Sequence, residues 1–145
     1  MLSMLKRIGR EYALRFRKWP LSLPLITSLM EVFHFDEAGL PVEPARLADA
    51  LCIPRQTMTS FLDALEQRGL LSRTPHPTDR RRKRIVLSPR GRKLALAIRD
   101  DALRFENAAL AIFPTEELPA IREKVSRYID ALAAQNALDA RKGTP

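Results

Sequence analysis

The 145-residue sequence predicts a mainly α-helical fold with one small β-hairpin, α+β in class. Apolar residues recur at helical spacing over most of the chain, and only two short segments carry β-type composition. The formal net charge of +8 collects in and around the stretch that joins those two segments.

Taken in order, residues 1–18 place Leu5, Ile8, Tyr12 and Phe16 at helical spacing among basic residues, and Trp19-Pro20 stops the pattern. This predicts a first helix with a basic face. Ser22 suits the N-cap of a second helix running to about Glu37. Its Ile26, Leu29, Met30, Val32 and Phe33 point to burial, and Gly39-Leu40-Pro41 breaks it. Pro44 stands at the first position of a short third helix that reaches about Leu51. Cys52-Ile53-Pro54 then turns into a fourth helix, and two helices across so short a turn form a helix-turn-helix.

In that fourth helix, Arg55 to Arg68, the residues Met58, Phe61, Leu62 and Leu65 form an apolar stripe. Arg55, Gln56, Thr57, Thr59, Ser60, Asp63 and Gln67 are left on its other faces. Gly69 is the expected stop. Leu70–Thr74 and Arg84–Leu87 read as strands around the Pro77-Thr78 turn. Ser88-Pro89 supplies a cap and a first-position proline for a long helix to about Phe113, which Pro114 ends. Thr115, with Glu116 and Glu117 in the first turn, opens a last helix carrying Leu118, Ile121, Val125, Tyr128, Ile129 and Leu132. The tail from Arg141 to Pro145 is expected to fray.

Composition narrows the function. No run approaches the roughly 18 apolar residues of a membrane span, and the basic N-terminus lacks the apolar core of a signal peptide, so a cytoplasmic protein that engages no membrane is expected. Cys52 is the only cysteine, which excludes an intrachain disulfide and favours a small buried filler over an oxidant sensor. His34 and His76 lack spaced partners for zinc or catalysis, and no paired carboxylates, base-activated nucleophile or glycine-rich phosphate loop is present. Neither an enzyme nor a metal or other cofactor is expected.

Charge points instead to a polyanion. Residues 72–93 hold Arg73, Arg80, Arg81, Arg82, Lys83, Arg84, Arg90, Arg92 and Lys93 against the single acid Asp79, which accounts for the whole excess of +8. Such a cluster focuses potential where phosphates dock and release counterions.

The stretch from Leu47 to Gly91, LADALCIPRQTMTSFLDALEQRGLLSRTPHPTDRRRKRIVLSPRG, resembles the winged helix-turn-helix of the MarR (multiple antibiotic resistance regulator) family. Leu47, Ala48 and Leu51 stand where that family packs its positioning helix. Leu65-Glu66 followed by Arg68-Gly69-Leu70 resembles its exit from the recognition helix, and DRRRKRIVLSPRG resembles its wing, strand, cap and glycine. The resemblance implies a single domain over 1–145, with a DNA-binding lobe at about 40–90 and dimerisation helices at about 1–20 and 114–138. It also implies a homodimeric transcriptional regulator, a repressor on a palindromic operator in double-stranded DNA, released by a small aromatic or phenolic effector.

Residue roles follow from the same resemblance and from the chemistry of the groups. Arg55, Gln56, Thr57, Thr59 and Ser60 are expected to face DNA from the recognition helix, where glutamine pairs with adenine and threonine reaches base edges. Arg81 is expected in the minor groove with Asp79 orienting it, while Arg73, Arg80, Arg82, Lys83 and Arg84 contact phosphate. Phe16, Trp19, Met30, Phe33 and His34 either line an effector pocket or belong to the core. The competing reading is a sequence-tolerant architectural nucleic-acid-binding protein that uses chiefly the basic wing.

Overall fold

The computed structural model describes residues 2–75 and 83–142, the side chains of residues 141 and 142 excepted. The elements are α1 (Leu2–Phe16), α2 (Leu23–Glu37), α3 (Pro44–Ala50), α4 (Arg55–Gln67), β1 (Leu71–Pro75), β2 (Lys83–Leu87), α5 (Pro89–Leu110) and α6 (Leu118–Lys142). A single 3-10 turn over Thr115–Glu117 precedes α6. The expected class and element order are present. Two ends differ from expectation: α5 stops at Leu110, with Phe113 N–H closing a turn onto the Leu110 carbonyl at 3.0 Å, and the last α-helix starts after the 3-10 turn. Pro114 accounts for the first, because it has no N–H to offer the Leu110 carbonyl four residues back and its ring crowds that carbonyl. Among the described residues no helix is long and apolar enough to cross a membrane.

The chain forms two compact units, Met1–Asp101 and Ala102–Pro145, with the division inside α5. In the first unit, α2 contributes Leu25, Ile26, Leu29, Val32 and Phe33 to one core. They meet Leu47 and Ala48 of α3, Met58, Leu62 and Leu65 of α4, Ile85 of β2, and Ala95 and Ile98 of α5. The apolar stripe read in α4 is therefore its packed face. Strands β1 and β2 pair antiparallel from Leu71 opposite Leu87 to Pro75 opposite Lys83, and Ile85 N–H donates to the Val42 carbonyl at 2.9 Å. That last bond fastens the hairpin to the segment that leads into α3.

Two helix ends show how the local chemistry sets the path. After α4, Gly69 adopts φ 66°, Gly69 N–H donates to Glu66 O at 2.8 Å, and Leu70 N–H donates to Leu65 O at 3.0 Å. This is the left-handed closure that glycine accommodates without strain. The same pair of bonds ends α3, Cys52 N–H to Asp49 O at 3.2 Å and Ile53 N–H to Ala48 O at 3.0 Å, but the left-handed residue is Cys52 at φ 52°. Cys52 is exposed, which corrects the expectation of a buried filler: its backbone occupies a glycine position and turns the side chain out of the core.

The start of α5 is set against the exit of α4. Ser88 Oγ accepts from Gly91 N–H at 2.9 Å and donates to the Gly69 carbonyl at 2.7 Å, so the predicted cap is a real one. Ser22, by contrast, caps α2 through extended backbone alone, without a side-chain bond. Buried Asp101 of α5 receives hydrogen bonds from Arg15 Nε at 3.1 Å and Lys18 Nζ at 2.7 Å, tying the end of α1 and the turn after it to α5.

The second unit contains the last residues of α5, the 3-10 turn and α6. None of its described residues is buried, and Val125, Tyr128, Ile129, Leu132 and Leu138 of α6 are exposed apolar side chains.

Candidate nucleic-acid interface

Helix α4 turns one face to the core and the opposite face to solvent. At 3.6 residues per turn, Gln56, Thr59, Ser60, Asp63 and Gln67 fall on the side opposite Met58, Leu62 and Leu65. Arg55, Gln56, Thr59 and Ser60 are exposed as the sequence suggested, whereas Thr57 is half-buried at the margin. The hydroxyls are already engaged: Thr59 Oγ1 donates to Arg55 O at 3.0 Å and Ser60 Oγ to Gln56 O at 3.1 Å. Each offers lone pairs outward, and so suits base-edge donors such as adenine N6 or cytosine N4. At the helix start the turn ends on Pro54, whose carbonyl accepts from Met58 N–H at 3.1 Å, and among the described residues no side chain caps the first-turn N–H groups, which have no intrahelical acceptor.

The hairpin supplies the cations. Lys83 and Arg84 begin β2 and are exposed, opposite Pro75 and Thr74. Asp79, Arg80, Arg81 and Arg82, and with them the expected minor-groove contact, lie outside the described residues, as does His76.

Arg73 is placed differently from its neighbours. Its Nη1 donates to Asp63 Oδ1 at 2.6 Å and to Glu66 Oε2 at 2.8 Å, and its backbone N–H donates to Glu66 Oε1 at 2.9 Å. Its side chain is 20% exposed. Arg92 is likewise committed, to Asp36 and, at 2.8 Å, to Glu37 Oε1. Among the described residues of the 72–93 segment, Arg73 and Arg92 therefore balance carboxylates of the protein itself. Sequence reasoning missed these pairings although the acids of α4 were visible, because a strand arginine beside a helix acid becomes apparent only once the exit of α4 is folded.

The residues considered for an effector pocket separate. Phe16, Trp19 and Met30 are half-buried and pack against the core, Phe33 is within it beneath the guanidinium groups of Arg92 and Arg99, and His34 is exposed.

A helix pair across a tight turn, an outward polar face on the second helix, and an antiparallel hairpin beginning two residues after the exit glycine Gly69 define a winged helix-turn-helix. The MarR family model matches residues 39–83, from the turn before α3 to the first residue of β2. The HTH-type transcriptional regulator PecS of Dickeya dadantii (strain 3937) is 35% identical over 90 residues, 62% of this chain and 54% of PecS, so the match spans about half the length of that relative. Among solved structures, MarR superimposes with a TM-score of 0.76 at 18% identity, covering 94% of this chain and 93% of MarR. The S. aureus MepR–DNA complex gives 0.71 at 21% identity, covering 90% and 94%. The chain is similar to MarR-family proteins over residues 39–83, within the Leu47 to Gly91 segment and the turn before it, and it shares the winged helix-turn-helix fold of the solved structures.

Proposed function

We propose that this chain is a homodimeric DNA-binding transcriptional regulator, a repressor that holds a palindromic operator with α4 in the major groove and the hairpin along the backbone. The observation that carries the reading is the juxtaposition in one unit of a core-anchored α4 with an outward polar face and a hairpin whose second strand opens with exposed Lys83 and Arg84. The division of labour follows from charge. Arg55 is the one cation among the proposed reading residues of α4, so phosphate affinity belongs chiefly to the wing, with Arg80, Arg81, Arg82, Lys83 and Arg84, while Gln56, Thr59 and Ser60 select bases. Two α4 helices related by a two-fold axis would enter successive major grooves roughly 34 Å apart.

A small aromatic effector is proposed beside Phe16, Trp19 and Met30. In its support, the Trp19 Nε1–H is buried with no acceptor among the described residues, a donor that a ligand oxygen would satisfy.

Competition binding tests the reading. The protein should prefer a palindrome selected from genomic fragments over bulk DNA by about a thousandfold or more at moderate salt. Arg84→Gln should weaken binding to both DNAs and make the dependence of log K on log salt shallower by about one phosphate equivalent. Equal affinity for the palindrome and bulk DNA would establish the architectural reading instead.

A further inference from the structure

Asp63 lies in the middle of the face proposed to read DNA, one helical step from Thr59 and Ser60, with Gln56 two turns before it. A carboxylate there would meet phosphates of its own sign. Arg73, two residues into the hairpin's first described stretch, reaches back to it and to Glu66 on the adjacent flank, and its Nη2 also lies 3.4 Å from the Thr59 carbonyl. Glu66 in turn grips β1 twice, through the Arg73 guanidinium and through the Arg73 backbone N–H at 2.9 Å. The fork geometry of a guanidinium is what lets one side chain hold two carboxylates and a carbonyl together. The Asp63 and Glu66 side chains are 49% and 37% exposed, so the cluster sits at the surface where DNA would approach.

We infer that Arg73 is a positioning residue for DNA recognition: through Asp63 and Glu66 it masks the acid on the reading face and sets the pose of α4 against the wing strand. This rests on the DNA-binding reading above and deepens it. Its positive charge is spent inside the protein, which sets it apart from Lys83 and Arg84 on the other strand.

The inference yields a sign that a phosphate contact would not. Glu66→Gln adds one unit of positive charge, so if Arg73 served phosphate, releasing it would strengthen binding. If it serves position, Glu66→Gln weakens binding to the selected palindrome by about tenfold despite the added charge. Arg73→Gln should weaken it by a similar factor with the salt slope unchanged, and the double variant should be no weaker than the worse single variant. Arg73→Lys should also bind poorly, because an ammonium is a single point donor without the second nitrogen that reaches the Thr59 carbonyl while Nη1 serves Asp63 and Glu66, whereas a phosphate contact would tolerate it. Affinities are measured by fluorescence anisotropy, well below each variant's melting transition, so that a loss of fold does not register as a loss of affinity. If Arg73→Gln does not fold, the direction of the Glu66→Gln effect decides alone. Tighter binding by Glu66→Gln, or a salt slope lowered by about one in Arg73→Gln, overturns the inference; a wild type that ignores DNA overturns the underlying function instead.

Discussion

At the level of single residues, Cys52 is set by a local backbone closure and Asp101 by partners far away in sequence. Cys52 holds φ 52° because the closure of α3 needs a left-handed residue, and its exposed thiol contributes no packing in return. A non-glycine residue there costs about 1 kcal/mol, partly offset by the chain entropy that glycine would add. Cys52→Gly should therefore raise stability by roughly 0.5 kcal/mol in urea titration and Cys52→Val should lower it, since β-branching aggravates the strain. Asp101 is buried, and burial by itself raises the pKa of a carboxyl; hydrogen bonds from Lys18 and Arg15, with their charges, outweigh it and hold the group below its ordinary value. A depressed carboxyl pKa adds stability that is complete above the unfolded value of about 3.9 and is lost as the pH falls through the lower folded value. Asp101→Asn should melt several degrees below wild type at neutral pH, and the two should converge as the medium is acidified below about pH 3.9. A constant gap in melting temperature across that range would show that the ion pairs are not its source.

Among the elements, the exit of α4 and the start of α5 form one joint, and it was legible in part. The glycine at 69, the serine cap at 88 and the proline at 89 signalled the ends of both helices from composition alone, because caps and left-handed closures are local chemistry. What could not be read was the meeting of the two ends. Gly91 was visible as part of the wing resemblance, yet its reason is tertiary: a Cβ there would lie 1.8 Å from the Leu70 carbonyl oxygen, which also accepts from Ser88 N–H at 3.1 Å. Arg15 and Asp101, 86 residues apart, were beyond reach for the same reason, and so was the capture of Arg73 by the acids of α4. Gly91→Ala should cost at least about 2 kcal/mol, since backbone rather than a flexible side chain must yield. Ser88→Ala, which removes the cap and the hydrogen bond to the Gly69 carbonyl but forces no backbone to move, should cost about 1 kcal/mol. Thermal denaturation of both variants checks the order; a Gly91→Ala protein as stable as wild type would mean that α5 does not start against Leu70.

For the molecule as a whole, the two units pose different problems of stability. The first encloses a continuous core, whereas α6 has no buried described residue and exposes Val125, Ile129 and Leu132 at 52%, 57% and 47%. From Leu118 the apolar positions Ile121, Val125, Tyr128 and Leu132 advance by alternating three- and four-residue steps, the spacing of a seam that packs against another helix. A single solvated helix with such a seam is poorly stabilised by its own hydrogen bonds, and in the homodimer proposed above a second copy of the chain would supply the matching surface under two-fold symmetry. The wild type should accordingly sediment at twice the chain mass of 16.5 kDa. Combined Ile129→Asp and Leu132→Asp should give a monomer, since each places a charge in the seam without opening a cavity in the first unit. The monomer should still contact a single half-site, because α4 and the hairpin lie within one chain, but with the steep loss of affinity that follows when a second, linked binding event is removed. A footprint reduced from two half-sites to one, at protein concentrations that shift fully to bound, would place dimerisation in α6 and recognition in the first unit. A double variant that remains dimeric, or that protects both half-sites, would move the interface elsewhere.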